Sequence, residues 1–160
     1  MGKKIILVGP SASGKNYLRE KFIKRGYTAD CSYTTRPKRD GEVEGVDYHF
    51  ISRDEFHVKI KNNEFQEWVK YKDDLYGTGK DEWEIKDIFI KETVAISKMT
   101  PEERDNSFII FINPPKDTRI KRMMADRGWD WETVKKRLEF DEEAFGGFSD
   151  YDLKIKNPRF

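Results

Sequence analysis

Residues Gly9 to Asn16 read Gly-Pro-Ser-Ala-Ser-Gly-Lys-Asn, which is the spacing G-x-x-x-x-G-K. Glycines at positions 9 and 14 let successive backbone N–H groups curl around a polyphosphate, and Lys15 brings a point charge to its β and γ phosphates. A helix opening directly after the loop adds the positive end of its dipole. The chemistry is that of ATP or GTP binding, through Gly9, Ser11, Ala12, Ser13, Gly14, Lys15 and Asn16. An ordinary Gly-rich turn ahead of a helix is the competing reading, disfavoured because strand, loop, lysine and helix coincide. The pattern asks for Ser or Thr after the lysine, where a hydroxyl touches Mg²⁺, and here Asn16 stands. Magnesium tolerates little departure from octahedral geometry, so the longer carboxamide must displace the ion, act through water or cede the role. A second set of groups follows between Ser32 and Tyr48, where Arg36, Arg39 and Tyr48 fall close together. A guanidinium fork grips phosphate bidentately and a tyrosine hydroxyl adds a donor, so these residues suit a second anion.

The elements that must position these groups are legible in outline. Ile5 to Val8 is a short apolar run of the kind buried on both faces of a parallel sheet. From Lys15 the pattern turns helical, with Leu18 and Phe22 four apart, and stops at Gly26. Residues 31 to 45 are loop-rich, and 46 to 51 alternate like a strand. Ser52 and Glu55 form a capping box ahead of Phe56 and Ile60, in a helix running out near Asn62. Phe65 to Tyr71 reads as a strand, with a turn at Asp73 and Asp74. Between residues 80 and 99 two readings stand, since Trp83, Ile85, Phe89 and Ile96 allow a helix and Ile88 to Ile90 a short strand. Phe108 to Ile112 is the second clear buried strand, closed by Asn113, Pro114 and Pro115. Helices are expected at about 117–126 and 131–145, with Arg127 and Gly128 between them, and Leu153 to Ile155 could be a last strand. Alternating strands and helices predict one α/β domain with a mostly parallel sheet.

Composition narrows the function classes. The 160 residues carry 31 Lys and Arg against 30 Asp and Glu, a net charge of +1, which argues against the basic footprint of a nucleic-acid binder. Aromatic residues at 14% alongside 38% charged ones point to a folded chain with a heavily charged surface rather than disorder. The apolar runs fall far short of the roughly 20 residues of a membrane span, and no signal-peptide core follows Met1. A soluble, cytoplasmic protein without a membrane partner is the expectation. The single Cys31 cannot form an internal disulfide.

Gly9–Lys15, Ser32–Arg39, Gly41–Phe50, the helix after Ser52, Asn63–Trp68 and Tyr76–Thr78 together resemble the guanylate kinase family. The likeness covers most of residues 4–80 and thins afterwards to Phe108–Pro115, Arg127 with Gly128, and Lys136–Leu138. It implies an α/β fold of P-loop NTPase type, a parallel sheet flanked by helices. The core would span about 1–30 and 80–160, with a small strand-rich nucleoside-monophosphate-binding insertion at about 31–79 and a helical lid at about 117–145. The implied reaction moves the γ-phosphoryl group of ATP to GMP or dGMP, giving GDP or dGDP and ADP, with Mg²⁺ bridging phosphates and Asn16 its candidate ligand, direct or through water. By the same resemblance Arg36, Arg39, Tyr48 and Tyr76 hold the acceptor phosphate while Ser32, Glu67 and Thr78 read the base. Lys15, Arg39, Arg127 and Arg137 form the catalytic set, Arg127 also contacting ATP. The chemistry of guanine agrees: one carboxylate such as Glu67 accepts from both N1–H and the N2 amine, and the Ser32 and Thr78 hydroxyls donate to O6. Phosphoryl transfer relies on positioning and charge neutralisation, so no nucleophilic side chain is expected.

Three departures weigh on that reading. Relatives end an apolar strand in an acid where Lys91 stands here; Glu92 is adjacent, although a carboxylate beside a lysine is more often a solvated pair. Met123 falls near a lid arginine of relatives, with Arg122 beside it and Arg119 a turn earlier. The terminal helix usual in relatives has no counterpart, so the chain reads as a compact, divergent member. Asn16, the missing acid and Met123 favour a rival, a catalytically weak or inactive module that binds phosphorylated peptides at the acceptor site, but Lys15, the base-reading trio and the lid arginines count against it. A kinase for another deoxynucleotide such as dTMP is the alternative if residues 84–99 remodel the pocket. Cys31 reads as packing, and His49 and His57 lack metal-ligand spacing. Trp129 and Trp131 read as packing of the lid helices. The run Lys135–Arg137, neutralised by Glu132, Glu139, Asp141, Glu142 and Glu143, reads as a solvated helix face. Oligomeric state is not legible.

Overall fold

The computed structural model describes residues 2–159. The first elements in chain order are β1 (Lys4–Val8), α1 (Lys15–Lys24), β2 (Tyr33–Thr34), β3 (His49–Phe50), α2 (Arg53–Lys61), β4 (Phe65–Tyr71) and β5 (Asp74–Gly79). There follow α3 (Lys80–Ile85), β6 (Ile88–Ile90), α4 (Thr93–Ser97), α5 (Pro101–Asp105), β7 (Ser107–Ile112), α6 (Lys116–Lys121), a π-helical turn (Arg122–Asp126), α7 (Trp131–Phe145) and β8 (Leu153–Ile155). The open stretch between 80 and 99 therefore holds both a strand and short helices. Two compact units result, one made of Met1–Tyr27 with Ile88–Phe160, the other of Thr28–Asp87. Among the described residues no helix is long and apolar enough to cross a membrane.

The first unit is built on a parallel sheet of order β6-β1-β7-β8. Central β1 sets Ile6 between Phe89 and Ile109, and Ile6, Leu7 and Val8 are completely buried. That is why its sequence is a continuous apolar run rather than an alternating one. Phe108, by contrast, is an exposed member of an otherwise buried β7. The segment expected to form a lid begins as α6 and widens into the π-helical turn, whose Met123 is wholly buried against Ala12, Val134 and Leu138. Helix α7 starts at Asp130, which accepts from the Thr133 N–H at 2.8 Å.

The second unit has a mixed sheet of order β3-β2-β5-β4, with α2 packed through Phe56 onto Phe65 and Leu75. The Ser52–Glu55 capping box opens α2 as its sequence requires. The expected strand at 46–51 shrinks to His49–Phe50, because the chain from Val43 to Asp47 winds into turns: Asp47 Oδ2 accepts the Val43 N–H and Val43 O accepts from Val46 and Asp47. The β4–β5 turn lies one residue earlier than expected, at Lys72 and Asp73, with Lys72 in the left-handed region. Where the unit begins and ends, Asp87 Oδ2 accepts from Thr28 N and Oγ1 at 2.8 and 2.9 Å, and Asp87 N–H donates to Thr28 O at 2.9 Å.

Candidate active site

The predicted residues gather into two groups, one in each unit. In the first, Gly9–Gly14 link β1 to α1 as a loop whose Ser11, Ala12 and Ser13 are buried. Gly9 is obligatory for space, since a Cβ there would lie 2.4 Å from Ile112 O. Gly14 caps α1 with φ 101°, a conformation that favours glycine. Ser13 Oγ, 1% exposed, meets no hydrogen-bond partner among the described residues, a condition that a polar ligand would relieve.

Lys15 curls over this loop, Nζ donating to Gly9 O and to Pro10 O at 3.2 Å. Burial pushes its ammonium below the usual lysine value; Glu92 and then Asp141 oppose that, while Arg137 and Arg127 add to it. Glu92, just ahead of α4, is itself pushed above the usual carboxylate range by burial, against the pull of Lys15. The carboxylate next to Lys91 is thus part of the loop's electrostatics and no mere solvated pair, while Lys91 is 4% exposed and lies over Phe89. Asn16 is exposed on the first turn of α1.

The two arginines expected in a lid divide. Arg137 Nε donates to Ser11 Oγ, while exposed Arg127 stacks on Trp129 at 5.3 Å and acts on Lys15 through its charge. Met123 proves to be a core residue; the neighbouring Arg122 reaches the loop instead, donating to Ala12 O at 3.0 Å. Asp141 was expected on a solvated face and is in fact 2% exposed, accepting the Ser11 N–H at 3.2 Å. A charge-rich helix gives little warning of this, although the four-residue spacing from Arg137 puts the two on one face.

The second unit gathers the other group. Arg36 lies over the Tyr48 ring at 5.4 Å and the Phe50 ring at 5.9 Å, and the Tyr48 and Tyr76 rings meet at 5.9 Å. Burial raises the Tyr76 hydroxyl above its ordinary value with Arg36 opposing, so Tyr76 keeps its proton to donate. A partner that sequence reasoning passed over is Glu42, whose carboxylate takes both Nη groups of Arg36 at 2.9 and 2.8 Å. This bond holds the Glu42 carboxyl below the usual range. Arg39 is exposed; its backbone N–H donates to Glu42 Oε1 at 2.8 Å and its charge also helps hold the Glu42 carboxyl low.

The base-reading candidates come from adjoining strands. Glu67 and Thr78 are direct partners in the β4–β5 register, and Thr78 Oγ1 donates to Glu67 Oε1 at 3.0 Å. Gly77 beside Thr78 must lack a side chain, since a Cβ would strike the Phe65 ring at 2.7 Å. Ser32 Oγ donates to Asp30 Oδ2 at 2.5 Å, which fixes the hydroxyl's orientation. Cys31 is buried and in no disulfide, and His49 stacks on Tyr33 at 4.7 Å while facing Glu44 at 3.3 Å.

The profile of the guanylate kinase family matches residues 1–160. The guanylate kinase of Lactococcus lactis is 32% identical over 166 residues, covering 99% of this chain and 81% of its own. That of Bacillus cereus is 33% identical over 169 residues, covering 98% and 80%. Among solved structures, guanylate kinase from Anaplasma phagocytophilum superposes with a TM-score of 0.75 at 25% identity, over 98% of this chain and 77% of the other. With the match running the length of the sequence and the fold agreeing with it, the chain belongs to the guanylate kinase family.

Proposed function

We propose that this chain transfers the γ-phosphoryl group of ATP to GMP or dGMP, giving ADP and GDP or dGDP, the reaction of its family. The observation that carries the assignment of the acceptor is the Glu67–Thr78 pair, a carboxylate and a hydroxyl set side by side across β4 and β5. The Glu67 carboxylate suits the adjacent N1–H and N2–H donors of guanine, whereas adenine has no adjacent donors to offer it, and the Thr78 hydroxyl, which here donates to Glu67, would turn its proton to O6 when the base binds. Ser32 completes the base-reading set. Arg36, Arg39, Tyr48 and Tyr76 hold the acceptor phosphate, with Glu42 keeping the Arg36 fork oriented.

On the donor side, the loop of residues 11–15 and the Lys15 ammonium bind the ATP phosphates, with the Ser11 N–H held by Asp141 and the Ser13 N–H by Pro10 O, and Arg127 and Arg137 of the 117–145 lid spread the charge of the transferring group. A magnesium ion bound with ATP takes most of its ligands from phosphate and water and asks one or two oxygens of the protein. Asn16, exposed beside Lys15, offers a carboxamide oxygen, and Glu92 a carboxylate coupled to that lysine, so the residues present fit such an ion. When bound, the ion neutralises phosphate charge; Asn16 would hold it directly or through water, with Glu92 as the second candidate. The reaction's partners are nucleotides, and the expected location is the cytoplasm.

A coupled assay of ADP release with ATP, Mg²⁺ and a panel of GMP, dGMP, AMP and dTMP tests this, run beside Lys15→Ala. Turnover should be confined to GMP and dGMP and fall at least roughly a hundredfold in the variant, as when a principal charge-stabilising group is removed. Turnover with dTMP in place of GMP would overturn the base-reading assignment. Folded protein without turnover on any acceptor would sink the kinase reading.

A further inference from the structure

Asp141 sits on α7 one turn beyond Arg137, and its side chain is 1% exposed. Its Oδ2 accepts from the Ser11 backbone N–H and from Arg119 Nη1, each at 3.2 Å. Its Oδ1 lies 3.7 Å from Arg137 Nε, which in turn donates to Ser11 Oγ. One carboxylate therefore closes a ring through Ser11 of the phosphate loop and the lid arginine, and a second arginine backs it from α6. Arg119 is itself 8% exposed, and burial drives its guanidinium below the usual arginine value while Asp141 opposes the change.

Burying an ion pair is a poor way to stabilise a fold, since apolar residues of similar volume commonly do as well or better. What the charged pair supplies is direction. The Asp141 carboxylate has a fixed acceptor for the loop amide and a fixed counter-charge for the lid arginine. Charge counting gives Arg119 its part: with one arginine neutralising Asp141, the positive charge of the other stays uncancelled beside the loop. Without Arg119, the carboxylate would claim Arg137 for itself and leave no net positive charge where phosphates must come.

From this geometry we infer that Asp141 is a positioning residue for phosphoryl transfer, seating Arg137 and Ser11 against each other while Arg119 cancels its charge. This rests on the assignment of Arg137 to the transferring phosphoryl group, so the experiment separates the two. Steady-state kinetics with ATP, GMP and Mg²⁺ are measured for Asp141→Asn, Arg137→Met and the double variant, each checked for folding by thermal melting. The carboxamide introduced by Asp141→Asn keeps an acceptor for the Ser11 N–H and removes the charge.

Asp141→Asn should lower kcat about tenfold or more with KM for GMP within about twofold, the signature of an interaction made in the transition state. Because it acts through Arg137, it should add almost nothing in the Arg137→Met background, a non-additivity expected of residues working as one unit. A kcat within about twofold of the parent, or a loss that multiplies in full on Arg137→Met, overturns the positioning role. If Arg137→Met itself leaves kcat unchanged, the assignment of Arg137 falls and this inference with it. Should Asp141→Asn fail to fold, the neutral pair Arg119→Met with Asp141→Asn decides the matter. It should recover the melting temperature and leave kcat low, whereas recovery of both would mean that the cluster only supports the fold.

Discussion

Glu67 faces Thr78 across a two-strand turn, and the carboxylate that accepts the Thr78 hydroxyl is the one assigned to guanine. Glu67→Gln replaces half of that acceptor edge with an amine, which would point a donor at guanine's donors. We expect kcat/KM for GMP to fall roughly 10–100-fold while KM for ATP stays within about twofold, the loss set by an unmade buried hydrogen bond. Equal losses on both substrates would contradict the assignment. Two other glutamates carry opposite signatures. The Glu42 carboxyl is depressed, first by its hydrogen bonds from Arg36, so its contribution to stability is whole above the unfolded carboxylate value and lost as pH falls through the lower folded value. The Glu92 carboxyl is raised by burial, so its ionised form is a burden at neutral pH that shrinks as pH falls through the raised folded value and is gone below the unfolded one. Glu42→Gln should therefore lower the urea midpoint at pH 7 and Glu92→Gln should raise it, and both differences should fade on acidification below about pH 4. Midpoints that moved in the same direction at pH 7 would count against the two assignments.

At the scale of elements, the segment from α6 to α7 shows how far a helix can be read without its neighbours. Its periodicity announces helices over about 117–126 and 131–145, and helices are there, but the π-helical turn at Arg122–Asp126 shifts the phase. Arg122 thereby turns to the phosphate loop, and Met123 into the cluster with Ala12, Val134 and Leu138. Met123→Ala should destabilise the protein by about 2–4 kcal/mol through lost burial and a cavity. For a chain of this size that lowers the melting temperature by roughly 5–15 °C, which calorimetry would detect and a change under about 2 °C would refute. Strands β1 and β7 were legible because a strand covered on both faces leaves an unbroken apolar run in the sequence. The stretch from Lys80 to Met99 was not, because its strand is three residues and its helices six and five, too short for either period to declare itself. Asp141 was hidden for another reason: among five neighbouring acids its type resembles a solvated surface, and only tertiary contact with Ser11 and Arg119 sets it apart.

Over the whole molecule, the chain divides its chemistry between a unit holding the phosphate loop and a unit holding the acceptor candidates, and the second is one continuous piece, Thr28–Asp87. Much of this was legible as motif order, since the loop residues, the arginine–tyrosine set and the Glu67–Thr78 pair follow one another in sequence. The exact boundaries were not, because they depend on the exchange of hydrogen bonds between Thr28 and Asp87 rather than on any change in composition. That clasp has a topological consequence. The loop-closure cost of a segment grows only slowly with its length, and here the segment's own two ends are already joined. To the rest of the chain, Thr28–Asp87 should weigh little more than a short hairpin of any composition. Replacing it with a brief Gly-Ser linker should leave a shortened protein that still folds cooperatively and still binds an ATP analogue, measured by thermal melting and titration; a chain without a melting transition would show instead that the halves fold only together. If it folds, acceptor choice is a graft: another segment with similarly clasped ends could be set between Tyr27 and Ile88, and the phosphate-donor half would be indifferent to the exchange.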